Sequence, residues 1–380
     1  MRIGLLGHGT IGVGADRIIK EREDMEVVKI LSLVVDDEMA GRTAASAEEI
    51  MEDPSIDTVV EVMGGIHPAF EYIKSALEHK KNVVTANKAV VAACYDDILA
   101  LAEQNGVSFR CTAAVGGSIP WLVNIERACR VNELTAVGGI MNGTTNFILH
   151  KMLTEKAEFD EVLKEAQDLG YAEKDPSADI DGDDIRRKLL ISANTAFGIS
   201  LPEDDVQTFG IRNARLKDCE WGADQGLTLK LAGFSEKKED GSVSAYVAPV
   251  FLGKEDVLSA IPANYNLVRY TGTYCGIQSF IGEGAGRFPT AHNVVEDLID
   301  ILETPETFYT MKRTACPVSN ESVLLPWYIR TAEESLIPES FKAEACRGVF
   351  VTARVSVKEM LDWAVKSLEK DNKLFIAAIG

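Results

Sequence analysis

The sequence predicts an α/β protein: a doubly wound parallel sheet, then an α+β domain, then a small βαβ-like appendage at the C-terminal end. Three observations support this fold class. Short β-branched runs alternate with amphipathic segments over roughly the first 130 residues, which is typical of a parallel sheet covered by helices. A glycine-rich stretch directly follows the first run. From about residue 226, strand-like runs follow one another without helical segments, as in an antiparallel sheet.

The first domain is expected to cover residues 1–133 and, after a return of the chain, about 282–310. Its strands are predicted where β-branched residues cluster, at Arg2–Leu6, Glu26–Val35, Thr58–Met63, Asn82–Ala86 and Gly106–Arg110. Its helices are predicted where apolar residues recur at helical spacing, at Ile11–Arg22, Ser46–Glu52, Pro68–Lys80 and Ala291–Leu302. Strands and helices therefore alternate as a doubly wound sheet requires.

The second domain is expected over residues 134–281 and the appendage over 311–380. Strands of the second domain are predicted at Leu134–Ile140, Ser244–Leu252, Tyr265–Tyr270 and Gly276–Ile281. The appendage has predicted strands at Leu324–Arg330, Gly348–Val355 and Lys373–Ile379, with a helix at Val357–Leu368.

Composition excludes several classes of function. The chain has 39 Lys and Arg against 59 Asp and Glu, a formal net charge of −20 at pH 7, which repels the phosphates of nucleic acids. No apolar stretch approaches the ~20 residues that span a bilayer, and the chain opens on a strand pattern instead of a targeting segment. The seven cysteines are scattered, as in proteins of a reducing compartment. We therefore expect a cytoplasmic protein that binds neither nucleic acid nor membrane.

A dinucleotide-binding loop is predicted at the end of the first strand. Gly7, Gly9 and Gly12 form a G-x-G-x-x-G motif, with Thr10 and Ile11 opening the following helix. The glycines allow a tight turn, close approach of a pyrophosphate and close packing of the helix, whose N-terminus attracts phosphate. In this strand–turn–helix context the motif indicates a Rossmann-type domain that binds NAD or NADP.

The choice between NAD and NADP depends on the residues after the second strand. Asp36 and Asp37 stand there as candidates for the ribose hydroxyls, somewhat later than the usual spacing of about 20 residues. Arg42 is the nearest cation that could bind a 2′-phosphate. This pattern favours NAD, with NADP kept open.

Two lysines are the candidate proton-handling groups. The five histidines show no metal-ligand spacing and no carboxylate neighbour, which leaves little support for histidine or zinc catalysis. Lys88 follows the fourth strand, at the edge where doubly wound sheets bind ligands. Asp184 and Lys188 share one helix face; alone, such a pair is most often a solvated salt bridge. This stretch of the sequence is rich in acidic residues, and among them Glu173, Asp179 and Asp184 could bind a substrate ammonium group.

The ordered motifs resemble those of the homoserine dehydrogenase family. The resemblance covers about the first 305 residues and consists of motifs in family order: Gly7–Gly12, Val59–Gly65, Thr85–Lys88, Ala113–Pro120, Asn142–Asn146, Gly170–Lys188 and Gly282–Thr290. It implies the NAD(P)-dependent, reversible interconversion of L-aspartate 4-semialdehyde and L-homoserine by an oxidoreductase of threonine, methionine and isoleucine biosynthesis. It also implies a homodimer, with residues 134–281 serving substrate binding and dimerisation.

The resemblance assigns roles to individual residues. Lys188 resembles the catalytic lysine and Lys88 the second active-site lysine, with Asp184 beside them. The substrate pocket is implied to contain Glu173, Asp179, Tyr171 and Thr144. Cofactor contacts are implied for the glycine-rich loop and for Met63, Gly64, Thr85, Asn87, Lys88, Gly284, Ala285 and Gly286.

The sequence departs from the family's pattern at three places. At one of them Val35 stands where NADP-preferring relatives often have an Arg, which agrees with a preference for NAD. Relatives often bind a monovalent cation through a Glu and nearby backbone carbonyls, here those of Val115, Gly117 and Ile119, but Thr112 stands in the place of the Glu. We therefore expect weaker dependence on a monovalent cation. The tail resembles a shortened ACT domain in which residues 332–347 replace the usual effector loop, so we expect it to serve dimer packing. Two alternatives stay open: a related dehydrogenase for another amino-acid alcohol, and a catalytically silent NAD(P)-binding regulator.

Overall fold

The computed structural model describes residues 1–35, 37–305, 313–346 and 348–380. These residues fall into two compact units. The first unit comprises residues 1–132, 194–200 and 282–314, and the second comprises residues 133–193, 201–281 and 315–380. Asp36, Met311 and Arg347, which the sequence predictions touch, lie outside the described residues.

The strands of the described chain are short in the first unit and long in the middle of the second. They are β1 Arg2–Leu6, β2 Glu26–Leu31, β3 Thr58–Glu61, β4 Asn82–Thr85, β5 Phe109–Arg110, β6 Leu134–Ile140, β7 Ile199–Ser200, β8 Gln207–Thr208, β9 Thr228–Lys237, β10 Val243–Leu252, β11 Tyr265–Gly272, β12 Gly276–Glu283, β13 Thr314–Ala315, β14 Leu324–Leu325, β15 Trp327–Arg330, β16 Glu344–Cys346, β17 Val349–Val351, β18 Val355–Ser356 and β19 Phe375–Ile379.

The helices connect these strands in both units. They are α1 Thr10–Lys20, α2 Glu48–Met51, α3 Ala69–Glu78, α4 Lys88–Asn105, α5 Trp121–Cys129, α6 Gly143–Glu155, α7 Phe159–Asp168, α8 Ser177–Ile180, α9 Asp183–Phe197, α10 Leu216–Asp224, α11 Arg287–Glu303 and α12 Val357–Ser367. Among the described residues, no helix combines the length and the apolar character that crossing a membrane would need.

The first unit is built on a five-stranded sheet of order β2-β1-β3-β4-β5, and its strand pairs are parallel. From β1 the chain first adds β2 on one side and then β3 on the other, so the order reverses between β1 and β3. Ligands of doubly wound sheets bind at the carboxyl ends of the strands beside such a reversal. The predicted Rossmann-type fold class is thereby confirmed.

Helix α11 completes the core of the first unit, although it lies far along the chain. Its Val294 and Leu298 are fully buried with Ile3 and Leu5 of β1. The contact with α1 is close, because a Cβ on Gly14 would lie 2.7 Å from the carbonyl oxygen of Arg287. Burial of this apolar face explains why the segment after residue 282 belongs to the first unit.

The second strand is shorter than predicted. It ends at Leu31 instead of Val35, and Leu33, Val34 and Val35 are exposed. The backbone N–H of Gly7 donates to the carbonyl of Leu31, where β1 has ended and the chain turns away with a φ of +100°. Beyond Leu31 the described part of the chain therefore offers no neighbouring strand, and the β-branched pattern alone could not show this.

The second unit contains a ten-stranded sheet among its described residues, with a main path of β12-β11-β6-β9-β10-β19-β15-β17-β16 and β8 beside β10. Neighbours from β11 to β10 are antiparallel, whereas β10 and β19 are parallel. Helix α9 packs on one face, since a Cβ on Gly233 of β9 would lie 3.0 Å from the side chain of Ile185.

The strands predicted for a small appendage extend this same sheet. β19 pairs with both β10 and β15, so residues 315–380 group with the second unit. The predicted strand Leu324–Arg330 is divided in two at Pro326: β14 pairs with β18, and β15 pairs with β19. Proline has no N–H to donate to a strand ladder, which explains the break.

Candidate active site

The glycine-rich loop of the first unit has the geometry that a dinucleotide requires. A Cβ on Gly12 would lie 2.1 Å from the carbonyl oxygen of Gly7, so only glycine fits there. A Cβ on Gly9 would meet nothing within 4 Å, which leaves the backbone open on that side. Thr10 and Ile11 begin α1, whose first N–H groups and dipole favour a phosphate.

A buried carboxylate ties the ends of β3 and β4 together. Oε2 of Glu61 accepts a hydrogen bond from Oγ1 of Thr85 (2.6 Å), and its Oε1 accepts from the N–H of Met63 (2.7 Å). Nδ2 of Asn87 donates to Glu61 Oε1 (3.3 Å) and to the carbonyl of Gly65 (2.7 Å). Burial raises the pKa of Glu61, against the opposing effect of these hydrogen bonds. The network holds the loop of Met63 and Gly64 in one conformation.

Asn87 and Lys88 lie at the start of α4. The Oδ1 atom of Asn87 accepts hydrogen bonds from the N–H groups of Ala89 and Val90, which makes Asn87 the N-cap of the helix. Lys88 is the first residue of this helix and is half-buried. The sequence motif Thr85–Lys88 is therefore a strand end, a cap and a lysine held at the ligand edge of the sheet.

The segment Gly284–Gly286 lies against the loop that precedes α5. A Cβ on Gly117 would lie 2.4 Å from the carbonyl oxygen of Glu283, and the N–H of Ser118 donates to that carbonyl at 3.1 Å. Nδ2 of Asn293 on α11 donates to the carbonyls of Gly117 (2.5 Å) and Ile119 (3.0 Å). The predicted cofactor segment and the predicted cation carbonyls thus belong to one connected region of the first unit.

Arg42 is engaged in an internal ion pair. Its guanidinium donates to both carboxylate oxygens of Asp16, at 2.6 and 2.8 Å, and Asp16 is fully buried. Burial raises the pKa of Asp16, but hydrogen bonds from Arg42 and Lys20 outweigh it and bring the pKa down to about 2. Asp37, the described one of the two acidic candidates, begins a short 3-10 helix and is exposed.

The predicted catalytic lysine lies in the second unit and is buried. Nζ of Lys188 is 2.8 Å from Oδ2 of Asp184 and donates to the carbonyl oxygen of Met141 at 2.8 Å. Both side chains of the pair are less than 10% exposed, so this is not the solvated salt bridge that spacing alone suggests. An ammonium group has three hydrogens, and these two contacts leave one for a substrate oxygen.

Asn142 connects the lysine pair to a second carboxylate. Its Nδ2 donates to Oδ1 of Asp179 (2.7 Å) and to Oδ2 of Asp184 (2.9 Å). Its Oδ1 accepts from the N–H of Thr145 and caps α6. One side chain therefore sets both the start of the helix and the spacing of the two carboxylates.

The other predicted substrate residues lie close in sequence to Asn142 and Asp179. Oγ1 of Thr144 donates to the backbone carbonyl of Tyr171 (2.6 Å), and the Tyr171 ring lies 5.1 Å from that of Phe147. Glu173 is exposed. Neighbouring acidic residues have other partners, since Asp181 binds Arg212 and Asp183 binds Arg186.

A buried lysine forms a hydrogen bond with a side chain of α6. Nζ of Lys230 donates to Oδ1 of Asn146 (2.7 Å) and to the carbonyl of Ile261 (2.6 Å), while Nδ2 of Asn146 donates to the carbonyl of Ala263 (2.8 Å). Burial lowers the pKa of Lys230 to about 8. This network fixes the helix that carries Thr144.

The structure groups the predicted residues by role. The predicted cofactor residues lie in the first unit, and Lys188, Asp184, Asp179, Glu173, Tyr171 and Thr144 lie in the second. Sequence reasoning missed Glu61, Asn142, Lys230 and Asn293 as supporting residues. Glu61 and Asn142 stood inside the quoted motifs, whereas Lys230 and Asn293 had no local signal.

Known proteins are similar to this chain over most of its length. Residues 7–112 match the family described as "Homoserine dehydrogenase, NAD binding domain", and residues 120–299 match the family described as "Homoserine dehydrogenase". The homoserine dehydrogenase of Bacillus subtilis is 38% identical over 318 residues, covering 80% of this chain and 73% of that protein. That of Synechocystis is 38% identical over 317 residues, with the same coverage.

Solved structures agree with the sequence relatives. A homoserine dehydrogenase from Thiobacillus denitrificans superposes with a TM-score of 0.88 at 29% identity, covering 100% of this chain and 98% of that one. The S. aureus homoserine dehydrogenase at pH 7.5 has a TM-score of 0.78 at 28% identity, with the same coverage. A hyperthermophilic archaeal homoserine dehydrogenase mutant in complex with NADPH has a TM-score of 0.68 at 25% identity, covering 80% and 98%.

Proposed function

The chain belongs to the homoserine dehydrogenase family, and from this premise we propose a role for each of its candidate site residues. It is an NAD(P)-dependent oxidoreductase that interconverts L-aspartate 4-semialdehyde and L-homoserine. When bound, NAD or NADP accepts the hydride that leaves the C4 carbon of homoserine. The protein supplies position, charge and a route for the hydroxyl proton.

We propose that Lys188 handles this proton, and the observation that carries the proposal is its buried contact with Asp184 and Met141. In aldehyde reduction, the remaining N–H of the ammonium donates to the carbonyl oxygen, which gains the proton as the carbon gains hydride. In alcohol oxidation, a neutral Nζ takes the hydroxyl proton. Asp184 holds the amine in place through its 2.8 Å contact with Nζ.

We propose that Asp179 and Glu173 bind the amino group of the substrate, with Tyr171 and Thr144 at the border of the pocket. The support for Asp179 is its hydrogen bond with Asn142, which holds it beside the Lys188–Asp184 pair. Lys88, fixed by the start of α4, is proposed as the second active-site lysine. The glycine-rich loop, Met63, Gly64, Thr85, Asn87 and Gly284–Gly286 are proposed to contact the cofactor.

The test is the absorbance of reduced nicotinamide with L-homoserine at mildly alkaline pH. Lys188→Ala should lower kcat by roughly 10²- to 10⁴-fold, since a positioned proton-transfer group contributes about that much. The dissociation constant of NADH should change little, because Lys188 belongs to the predicted substrate residues. Lys164→Ala, at an exposed lysine of α7, is the matched control and should retain normal turnover.

Two outcomes would contradict parts of this proposal. Near-normal turnover of Lys188→Ala would remove Lys188 from the proton route. If that variant does not fold, Lys188→Ala/Asp184→Asn removes the unpaired carboxylate and keeps the test valid. Failure of the unaltered protein to oxidise homoserine, with cofactor binding intact, would favour the related dehydrogenase or the silent regulator.

We propose a preference for NAD over NADP. Arg42, the nearest cation in sequence, is already bound to Asp16 in the buried ion pair, and the exposed residues 33–35 are apolar. A 2′-phosphate here would lack the arginine that usually receives it. We expect kcat/KM to be at least about tenfold higher with NAD, a difference of about 1.4 kcal/mol. Equal or better use of NADP would contradict this proposal.

We propose a homodimer formed through the face of the large sheet opposite α9. Gly233 faces α9, so its neighbour Phe234 points to the other face, where it borders cavities of about 340 and 380 Å³. Ile277, which borders one of these cavities, is 63% exposed. Light scattering should give twice the mass of one chain, and Ile277→Asp should shift it toward one chain; a monomeric unaltered protein would refute the proposal.

We also propose a cytoplasmic location. None of the seven cysteines, all of which lie in the described residues, is joined in a disulfide. Free thiols persist in reducing compartments. Fractionation of expressing cells would test this, and recovery outside the cytoplasmic fraction would contradict it.

A further inference from the structure

The backbone loop 115–119 decides whether this chain can use the monovalent cation that its family resemblance implies. A hard cation needs several oxygen ligands with lone pairs directed at it, and a carboxylate usually balances its charge. The oxygens implied here are the carbonyls of Val115, Gly117 and Ile119, with Thr112 in the place of the carboxylate.

Two of these carbonyls already have a donor. Asn293 is 1% exposed, and its Nδ2 donates to Gly117 at 2.5 Å and to Ile119 at 3.0 Å. The carbonyl of Ile119 also accepts from the N–H of Trp121 at 2.7 Å. A carbonyl oxygen has two lone pairs, so these two donors use the accepting capacity of Ile119.

Position 112 also lacks the charged ligand that the resemblance implies. Thr112 is neutral and buried, and its N–H donates to Oδ2 of Asp297 at 2.9 Å. A carboxylate at position 112 would compensate a bound ion, whereas a threonine hydroxyl cannot. The residues present therefore do not fit the cation site that the resemblance implies.

We propose that the side-chain amide of Asn293 replaces the monovalent cation in this chain, joining the Gly117 and Ile119 carbonyls by hydrogen bonds from a covalently attached donor. The ion presents a full positive charge to these carbonyls, and the neutral amide presents the partially positive hydrogens of its N–H groups. The amide differs in that it cannot dissociate, so the loop keeps its shape at any ionic composition.

The amide also stabilises the predicted cofactor segment. The loop that Asn293 holds packs on Glu283 through Gly117, and both the N–H and Oγ of Ser118 donate to the Glu283 carbonyl. Gly284–Gly286 follow directly. This link to cofactor binding rests on the proposed role of Gly284–Gly286, whereas the replacement of the cation does not.

The experiment measures thermal unfolding without cofactor in sodium, potassium or N-methylglucamine chloride at equal ionic strength. The Tm of the unaltered protein should be the same in all three salts. Asn293→Ala should lower Tm by roughly 4–8 °C, because two carbonyls each lose the hydrogen bond that the amide donates. Asn124→Ala, which removes an amide bond to the nearby Pro120 carbonyl, is the matched control and should show no salt-specific change.

A second variant tests the exchange of amide for ion directly. Asn293→Asp places a carboxylate oxygen against two carbonyls, so it should be unstable in N-methylglucamine and recover in sodium or potassium. The Tm of the double variant Thr112→Glu/Asn293→Ala should likewise be higher in sodium or potassium than in N-methylglucamine. Binding of NADH, followed by fluorescence, should be weakened in Asn293→Ala in every salt.

A Tm of the unaltered protein that rises by several degrees in sodium or potassium over N-methylglucamine would overturn the proposal, whether or not the variants fold. Variants that gain no cation dependence would count against it as well. If the unaltered protein fails to oxidise homoserine but its Tm is the same in all three salts, that result contradicts the proposed function and leaves the replacement of the cation standing.

Discussion

At the scale of single residues, buried polar side chains with several partners define the candidate site. Lys188 contacts one group that lies far from it in sequence, and Asn142 and Asn293 each contact two. Buried polar groups are costly unless they are hydrogen-bonded, so each of these networks restricts its surroundings to one arrangement. Removing one member should therefore affect the geometry of the others.

The Asp16–Arg42 pair gives a residue-scale prediction of pH dependence. The pKa of Asp16 in the folded protein is about 2, below the ordinary value of 3.8. The ion pair's contribution to stability is therefore fully present above pH 4 and is lost as the pH falls toward 2. The contribution is about 2 kcal/mol at about 1.4 kcal/mol per pKa unit. The difference between the unaltered protein and Asp16→Asn in urea unfolding should shrink by about half between pH 7 and pH 3.

The exposed Glu23 provides a control for this prediction. Glu23→Gln should change the free energy of unfolding by a few tenths of a kcal/mol at most. A difference between the unaltered protein and Asp16→Asn that stays constant from pH 7 to pH 3 would show that the ion pair does not stabilise the fold.

At the scale of elements, the turns between strands and helices carry most of the predicted cofactor contacts. The loop after β1 is shaped by glycines, and the loop after β3 is held by Glu61. The start of α4 is capped by Asn87. Because these turns follow β1, β3 and β4, which are neighbours in a parallel sheet, they meet at one edge.

Gly9 and Gly12 should respond differently to the same substitution. Gly12→Ala would place a Cβ 2.1 Å from the Gly7 carbonyl, so it should lower stability and abolish cofactor binding. Gly9→Ala has open space for its Cβ, so it should keep the Tm but weaken NADH binding, because the methyl group occupies the approach of the pyrophosphate. Equal effects of the two variants on Tm would contradict this account of the loop.

At the scale of the whole molecule, the C-terminal segment is part of the second unit's core. Oη of Tyr328 and Nε of Arg330, both on β15, donate to the fully buried carboxylate of Asp218 at 2.6 and 2.7 Å. β19 covers the side of β10 that would otherwise be an edge. The segment therefore contributes to the stability of the sheet, in contrast to a detachable regulatory appendage.

Truncation after residue 314 should prevent stable folding of the second unit, because it leaves Asp218 without both donors and uncovers β10. In the full-length chain, Arg330→Met should cost about 3–5 kcal/mol, the usual result of leaving a buried charge unpaired. Circular dichroism and urea unfolding measure both effects. A truncated chain that unfolds cooperatively with an unchanged midpoint would show that the segment is an independent appendage.

The sequence by itself determined the features that depend on local chemistry. β1 and β6 have the predicted bounds, because short, mainly apolar runs that end at turn residues indicate buried strands. The glycine-rich loop and the Asp184–Lys188 spacing were also readable, since both arise within a few residues. Helix α4 and strand β9 were missed: α4 has no clear apolar face in its sequence, and β9 is a strand because β6 and β10 pair with it.

Only the tertiary structure decided which distant groups meet. Asn293 and Gly117 are 176 positions apart, Lys188 and Met141 are 47 apart, and Arg42 and Asp16 are 26 apart. The same residue types could equally have remained solvated on the surface. Folding buries them, and because a buried donor or charge must find a partner, the long-range contacts determine which arginine is occupied, which lysine is held beside its carboxylate and which amide is held against the loop carbonyls.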